Sequence, residues 1–348
     1  MCMTAAMPII TDTNSLAEFC EQLAKSAYVT VDTEFIREKT YWPQLCLVQL
    51  ADDDKAMAVD AEADGIDLSP LFELMANKNV LKVFHAARQD LEIFYKLAGA
   101  LPTPLFDTQV AAMVCGFGES VGYETLVNKL VGEQVDKSSR FTDWSHRPLT
   151  DKQVSYALAD VTHLRPIYEK LEAKLISSGR HEWLDEELGK LTDENIYKFP
   201  PREAWRRVKA RNPKPRFLAV LREVTAWREI EAQTRDLPRN RVLRDEALVE
   251  IAHHTPKNVK ELARTRGLGQ RLAEGSAGEK LLQAVEAGLN LPEADCPSVP
   301  RRPNLPRGIG PVTDLLKVLL KMKCEQQEVA QKLIASGDDI EKIAAYGE

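Results

Sequence analysis

Four carboxylates and a tyrosine are the residues of this sequence whose types and positions best suit chemistry. They are Asp32, Glu34, Asp90, Tyr156 and Asp160. Each carboxylate lies in or beside an otherwise apolar segment, and buried negative charge is costly unless a cation neutralises it. Because Mg²⁺ and Mn²⁺ prefer oxygen ligands, the set predicts a divalent-metal site and, with it, phosphate chemistry.

The spacing of Asp32 and Glu34 predicts two adjacent carboxylates on one face of a strand. Residues i and i+2 of a strand share a face, which places these side chains about 6–7 Å apart along it. Like charges at that distance raise each other's pKa unless a cation intervenes. The alternative is a strand with one face open to water, but the apolar flanks favour a central strand.

A functional interpretation of the other three residues, Asp90, Tyr156 and Asp160, depends on their combination. Alone, Asp90 suits the first turn of a helix, where an acid favours the helix dipole, and a Tyr/Asp pair four residues apart on a helix face is usually structural. Together with Asp32 and Glu34, they suit two ions about 4 Å apart that hold both sides of an in-line attack on phosphorus. In this hypothesis Glu34 contacts a metal and the substrate end, and Tyr156 orients the attacking water.

The secondary-structure elements that must position these side chains are predicted to be strands alternating with helices in the first part of the chain. The rest of the chain is predicted to be helical. Strands are predicted at 28–35, 45–51, 55–61 and 80–85, and the run 52–54 is predicted to be a hairpin turn, although a metal loop is an alternative. The first three strands are predicted to be antiparallel, with later strands added in parallel through helices. Helices are predicted from Ser69 and at 86–97, 108–115, 122–130, 151–175, 214–233, 245–253, 258–263, 278–287 and 313–335.

Charge is distributed unevenly along the 348 residues, whose net charge is −7. Residues 198–290 contain 20 Lys and Arg against 12 Asp and Glu. An acidic body with a basic module suggests a polyanionic ligand, whereas the alternative is two solvated faces. The six cysteines form no CxxC pair, and no secretory signal or membrane-spanning stretch is evident. A cytoplasmic protein with reduced thiols is expected.

The ordered motifs resemble the DEDD superfamily of 3′–5′ exonucleases, and specifically the ribonuclease D family. Asp32-x-Glu34 matches the first motif, 85–92 the second, and Tyr156-x-x-x-Asp160 the third, tyrosine-type motif. The segments 41–45, 106–109 and 136–144 are also similar. The resemblance implies a ribonuclease-H-like mixed α/β exonuclease domain, dependence on two Mg²⁺ or Mn²⁺ ions held by the four carboxylates, and trimming of RNA 3′ ends such as those of tRNA precursors.

The basic helical block resembles the HRDC domain, the helicase and ribonuclease D C-terminal module, in segments 227–239 and 242–246. The expected organisation is an exonuclease domain at 1–195, a linker at 196–213, an all-α HRDC domain at 214–292 and a Pro-rich linker at 293–311. Residues 312–348 are expected to form a divergent or incomplete second HRDC-like segment. No membrane contact and no obligate protein partner are expected.

Further residues are candidates for substrate contact, each with a structural alternative. Aromatic rings at Phe35, Tyr41 and Trp42 suit stacking on bases, although Phe35 is better explained as core. His85 suits contact with the terminal nucleotide, but a buried, hydrogen-bonded histidine is favoured, and Asp107 is better explained as a helix N-cap. Phosphate contacts are candidates for the cations of two segments, where a solvated surface is the alternative: Lys137, Arg140, Arg147, Arg239, Arg241 and Arg244.

The leading hypothesis is a metal-dependent 3′–5′ exoribonuclease that releases nucleoside 5′-monophosphates without a covalent intermediate. One alternative is the same nuclease acting on DNA 3′ ends, because a preference for the 2′-hydroxyl cannot be read from the sequence. Another is a nucleic-acid-binding protein without catalysis. The complete five-residue set favours the enzyme.

Overall fold

A computed structural model describes residues 8–136, 138–211, 213–299 and 305–347 of the chain. These residues form two compact units. The α/β unit contains the described residues up to Ile36, Leu45–Tyr197 and those from 305 onward. The helical unit contains Arg37–Gln44 and the described residues from Lys198 to 299.

A six-stranded mixed sheet forms the centre of the α/β unit, in the order β1-β4-β3-β2-β5-β6. The pairs β1/β4, β2/β5 and β5/β6 are parallel, and β3/β4 is antiparallel. After its first residue, β3 is buried at every position, as expected of a strand covered on both faces. The strands are β1 (Ile9–Ile10), β2 (Tyr28–Ile36), β3 (Gln44–Ala51), β4 (Ala56–Asp60), β5 (Leu81–Phe84) and β6 (Leu105–Asp107).

Helices pack on this sheet and connect its strands. A π-helical segment, Val127–Val131, continues directly from α5. The helices are α1 (Thr13–Leu23), α2 (Ser69–Ala76), α3 (Arg88–Ala98), α4 (Thr108–Val114), α5 (Tyr123–Leu126), α6 (Asp151–Ser178) and α7 (His181–Leu191).

The helical unit is built around α8, whose residues from Leu218 to Ala232 supply much of its core. A 3₁₀ helix at Pro201–Arg207 lies in the stretch expected to be a linker, and its Trp205 is buried in that core. The α-helices of the unit are α8 (Pro215–Thr234), α9 (Arg239–Val242), α10 (Asp245–His254), α11 (Val259–Leu262), α12 (Gln270–Glu274) and α13 (Ser276–Asn290).

The last three helices, α14 (Gly310–Gln327), α15 (Gln331–Ile334) and α16 (Gly337–Tyr346), belong to the α/β unit. The Ala330 N–H donates to the Met113 carbonyl at 3.1 Å, and the Arg180 guanidinium donates to the Glu328 carbonyl at 3.0 Å. A Cβ on Gly116 would lie 2.5 Å from the Glu328 carbonyl oxygen, so this close approach requires glycine.

The predicted fold class, a mixed α/β domain and an all-α region, is confirmed, with local corrections. The run at 52–54 is the predicted turn, because the Asp52 carboxylate accepts hydrogen bonds from the Asp54 and Lys55 N–H groups at 3.0 and 2.9 Å. The single helix predicted at 313–335 is wrong, since Glu328 adopts φ +49° and ends α14. The sequence prediction omitted β1, β6, α1, α7, α9, α12 and α16. Among the described residues, no helix combines the length and apolar character that crossing a bilayer requires.

Candidate active site

Asp32, Glu34 and Asp160 converge at one point of the α/β unit. One carboxylate oxygen from each lies within 4.8 Å of the others. The strand alternation of β2 places Asp32 and Glu34 on one face. Helix α6 brings Asp160 to them, since it packs on β2 and its Val161 carbonyl accepts a 2.8 Å hydrogen bond from the Thr30 hydroxyl. The predicted convergence of these three side chains is therefore what the fold produces.

The start of α6 is held by a capping box and by the preceding loop, which fixes the positions of Tyr156 and Asp160 further along the helix. Thr150 and Gln153 form a capping box, which satisfies backbone N–H groups at the helix start. The Gln153 amide also donates to the Thr142 hydroxyl at 3.2 Å, so the preceding loop is tied to the helix. The buried Trp144 ring lies 6.1 Å from the Tyr156 ring, centre to centre.

Asp90 lies beside this cluster but outside the group of oxygens within 4.8 Å. It is buried in the first turn of α3 and accepts a hydrogen bond from the Thr33 hydroxyl. Its negative charge contributes to the raised pKa of Glu34, and the charge of Asp32 does the same to Asp90. The four carboxylates therefore share one electrostatic environment.

A strained turn just before α3 positions Asp90 beside the other carboxylates. Ala86, just before α3, has φ +56°, a conformation that a residue with a Cβ adopts at a cost. The Asp107 carboxylate accepts hydrogen bonds from the N–H groups of Ala86 at 3.0 Å and Ala87 at 2.8 Å. The same carboxylate accepts from Gln109 N–H at 2.8 Å, which confirms Asp107 as the predicted N-cap.

Burial raises the pKa of every carboxylate in the set, and repulsion from neighbouring carboxylates raises it further for Asp32, Glu34 and Asp90. For Asp32 and Asp90 the pKa is well above its ordinary value, because burial first and then a neighbouring carboxylate disfavour ionisation. The pKa of Glu34 rises to about 10 for the same two reasons. Burial raises the pKa of Asp160 to about 7. A protein keeps such acids together at neutral pH when a cation is to join them.

The donor set fits a hard divalent cation. All of the converging ligand atoms are carboxylate oxygens, which Mg²⁺ and Mn²⁺ prefer. Neither histidine nor cysteine belongs to the group. The uncompensated negative charge, rather than the number of acids alone, distinguishes this cluster from an ordinary acidic surface.

Tyr156 contacts this cluster directly. Its hydroxyl hydrogen-bonds to the Asp160 carboxylate. Burial, followed by the charges of Asp160 and Glu34, raises the pKa of the Tyr156 phenol, so the group remains a neutral hydroxyl. It is suited to orienting a water rather than to accepting its proton.

Tyr123 is a site residue that the sequence analysis missed. Its hydroxyl donates to the Asp160 backbone carbonyl, and its ring lies 5.4 Å from that of His85. Burial and the charges of Asp160 and Asp32 raise its pKa. No local pattern marks this tyrosine, because its role depends on contact with a residue 37 positions later.

The candidate cations in the loop before α6 have different surroundings. The charge of Arg140 acts to lower the pKa of both Glu34 and Asp160, which indicates that Arg140 lies near the cluster. Arg147 instead forms a bidentate ion pair with Asp60, at 2.7 and 2.6 Å, and so has a structural role. Lys137 lies outside the described residues.

The other predicted contacts are distributed over both units. Phe35 packs against the main core of the α/β unit, and His85 lies within 3.0 Å of the Thr108 hydroxyl through Nδ1. Burial lowers the pKa of His85, which favours its neutral form. Arg241 and Arg244 are exposed in the helical unit.

Tyr41 and Arg239 require a correction of their expected roles. Tyr41 is 3% exposed in the helical core, with the Arg239 guanidinium 4.5 Å from its ring centre. Its hydroxyl hydrogen-bonds to Glu229, and the Arg239 Nε donates to Glu229 at 2.7 Å. Burial leaves the Tyr41 ring no open face for a base, and the charge of Arg239 is already balanced by Glu229.

Comparison with known proteins identifies the family. Residues 7–176 match a family of 3′–5′ exonuclease domains, and residues 217–285 match the HRDC domain. The ribonuclease D of Jannaschia sp. (strain CCS1) is 52% identical over 343 residues, which cover 97% of this chain and 88% of the relative. This chain belongs to the ribonuclease D family. The ribonuclease D of Nitrobacter hamburgensis is 51% identical over 339 residues, with the same coverage.

Membership in the ribonuclease D family confirms the predicted enzyme class, a 3′–5′ exoribonuclease with an HRDC domain. The fold agrees with this assignment. The crystal structure of Escherichia coli RNase D, described as an exoribonuclease involved in structured RNA processing, has a TM-score of 0.84 and 33% identity to this chain. The match covers 98% of this chain and 90% of that one.

Proposed function

We propose that this ribonuclease D removes nucleotides from the 3′ ends of structured RNAs, in particular tRNA precursors, by two-metal hydrolysis. The products would be nucleoside 5′-monophosphates. The observation that carries the proposal is the convergence of three carboxylates within 4.8 Å, each with a raised pKa. A free RNA 3′ end is the substrate, and tRNA precursors are the class that the family resemblance implies.

In this mechanism the carboxylates of Asp32, Glu34, Asp90 and Asp160 would hold two Mg²⁺ or Mn²⁺ ions. When bound, the ions supply positive charge that activates a water and stabilises the leaving 3′ oxygen. Tyr156 orients that water through its hydroxyl, which the Asp160 carboxylate fixes in place. Tyr123 holds the backbone of Asp160, so the ligand keeps its position as the substrate enters.

The side chains around the cluster support this assignment of roles. Neutral phenols at Tyr156 and Tyr123 donate hydrogen bonds without adding charge. The positive charge of Arg140 suits contact with the phosphate of the terminal nucleotide. The five cysteines in the described residues are unpaired, in keeping with the cytoplasmic location that we propose.

Digestion of a tRNA carrying a 3′ extension tests the proposal. Parallel reactions contain Mg²⁺, Mn²⁺ or EDTA, and products are resolved nucleotide by nucleotide, with a DNA oligomer of matched sequence as a second substrate. We expect stepwise shortening from the 3′ end with either ion, release of 5′-monophosphates and no reaction in EDTA. Undiminished digestion in EDTA would overturn the metal mechanism, and equal rates on DNA would overturn the restriction to RNA.

A further inference from the structure

Phe141 is 90% exposed, more than any other large apolar side chain among the described residues. The next most exposed of these side chains, Leu315, is 71% exposed. Phe141 lies in the loop between the π-helical segment Val127–Val131 and the start of α6. Single apolar side chains on a surface are common, so the position of this ring in the fold decides whether it has a function.

A tight turn holds Phe141 in its exposed position. The Thr142 N–H donates to the Ser139 carbonyl at 3.2 Å, which makes Arg140 and Phe141 the two central residues of a β-turn. The Thr142 hydroxyl donates to the same carbonyl at 2.8 Å and accepts from the Gln153 amide of α6 at 3.2 Å. Ser139 is itself buried. The ring is therefore presented to solvent by a turn that is anchored to the helix.

The same turn lies at the edge of the candidate active site. The charge of Arg140 acts on the carboxylates of Glu34 and Asp160, lowering the pKa of each. The Arg140 guanidinium carbon lies 5.3 Å from the centre of the Phe141 ring. The aromatic ring thus stands beside a cation that is close to the converging acids, while most of its own surface remains open.

A guanidinium group next to an open aromatic ring matches the two parts of a nucleotide. The guanidinium suits a phosphate, whose oxygens it can contact with two parallel hydrogen bonds. The ring suits the face of a base, and because every base has such a face, stacking tolerates any sequence. Stacking would also remove from water an apolar surface that the folded protein leaves exposed.

We propose that Phe141 stacks on one of the last two bases of the RNA 3′ end. The proposal rests on the proposed function, because it takes RNA as the substrate whose end enters this site. The adjacent Arg140 contacts a phosphate of the same end, so the turn binds the base and the backbone together. Phe141 is a substrate-binding residue in this proposal, and it holds the RNA end without choosing among bases.

The test uses a hairpin RNA with a single-stranded 3′ end and the fluorescent base 2-aminopurine at its last or second-last position. The terminal linkages have a methylene group in place of the bridging 3′ oxygen, so the RNA binds with Mg²⁺ but offers no leaving oxygen. We expect the full chain to quench the fluorescence at one of the two positions, because stacking quenches this base. Phe141→Ala should abolish the quenching and weaken binding about tenfold, whereas Phe141→Tyr should preserve both.

The matched control is Trp183→Ala, which removes another exposed aromatic ring of the α/β unit. Trp183 is 43% exposed in α7, and the Arg180 guanidinium carbon lies 5.5 Å from its ring centre. This variant should retain the parent affinity and quenching. An RNA that lacks the base at the quenched position should bind equally well to the parent protein and to Phe141→Ala.

Two results would overturn the stacking contact. One is unchanged quenching and affinity in Phe141→Ala, and the other is an equal loss of affinity for the RNAs with and without the base. Failure of the parent protein to shorten an RNA with natural linkages would instead refute the proposed function. The two failures are distinguishable, since the quenching measurement does not depend on turnover.

Discussion

Each of the two units holds a polar cluster built on acidic side chains, three in the α/β unit and one in the helical unit, and the two clusters have opposite electrostatics. In the α/β unit, Asp32, Glu34 and Asp160 converge, and their pKa values are raised. In the helical unit, Glu229 is bound by Arg239 and Tyr41. Burial alone would raise the pKa of Glu229, but these hydrogen bonds outweigh it and lower the pKa.

The difference suggests a way to distinguish structural acids from candidate catalytic ones. Glu229 has its cation within the same unit, so its charge is balanced without any ligand. Within the described residues, no lysine or arginine forms an ion pair with the three converging acids, and the charge of Arg140 offsets only part of theirs, so most of the compensating charge must come from a ligand. Burial of an acid is therefore less informative than the source of its compensating charge.

The largest expected effect comes from removing one acid of the unbalanced cluster. Asp160→Asn should reduce the turnover number with Mg²⁺ by about 10²- to 10³-fold or more, the scale for losing one preorganised electrostatic group. Its fold should remain, because the change relieves repulsion between like charges. Initial rates on a 3′-extended RNA measure the first effect, and circular dichroism measures the second.

The matched control is Asp185→Asn, which removes an exposed carboxylate of α7. It should retain the parent turnover number. Metal-dependent hydrolysis at the parent rate in Asp160→Asn would mean that the converging acids are not the catalytic site.

The second-largest effect is expected in the pH dependence of the free energy of unfolding without metal. The pKa of Asp160 is raised from 3.8 to about 7 and that of Glu34 from 4.5 to about 10. Above about pH 4 the folded protein therefore binds protons that the unfolded chain releases. The free energy of unfolding should fall as pH rises through this window, by at most about 1.4 kcal/mol per pH unit for each acid.

Urea unfolding in EDTA at pH 5 and pH 8 measures this fall. Saturating Mg²⁺ should restore much of the loss at pH 8, because the ion binds the ionised carboxylates of the folded state. Asp160→Asn should show a smaller dependence between pH 4 and 7. A stability that rises with pH in EDTA would contradict the unbalanced character of the cluster.

The smallest effect is expected when the balanced cluster loses its acid. Glu229→Gln should lower the free energy of unfolding by about 1–3 kcal/mol, since it removes the counter-charge of Arg239 and replaces one of the two accepting oxygens with an amide group that can only donate. The turnover number and the Mg²⁺ requirement should not change. Denaturant unfolding and initial rates provide the two readouts.

Glu182→Gln, at an exposed position of α7, is the control for that substitution and should change neither quantity. Loss of Mg²⁺-dependent turnover in folded Glu229→Gln would remove the distinction between the clusters.

Local sequence patterns predicted most of the acidic cluster. The alternation of β2 fixes Asp32 and Glu34 on one face, and the turn of α6 fixes Tyr156 and Asp160 on another, because both periods are properties of the element itself. The boundaries of β2, β3 and α6 follow from the same periodicity and differ from the prediction by a few residues. Asp107 was predicted as an N-cap for the same local reason.

Local sequence patterns did not predict contacts between residues that are far apart in the sequence. Tyr123 reaches the Asp160 carbonyl, and Arg147 pairs with Asp60 rather than remaining available to a phosphate. The ring of Tyr41, expected to meet a base, is buried against Glu229 and Arg239 almost 200 positions later in the chain. In each case tertiary packing determines the partner, and the spacing of residues along a strand or helix carries no information about it.

By itself, the sequence determined which acids are candidates for the chemistry, the face of the strand or helix on which each stands, and the division into an acidic α/β part and a basic helical part. Tertiary structure alone decided which charges are compensated: Glu229 pairs with Arg239, whereas the three converging acids form no ion pair in the described chain and have only Arg140 nearby. The physical reason is that periodicity acts within one element, whereas the free energy of a buried charge depends on every group that folding brings around it.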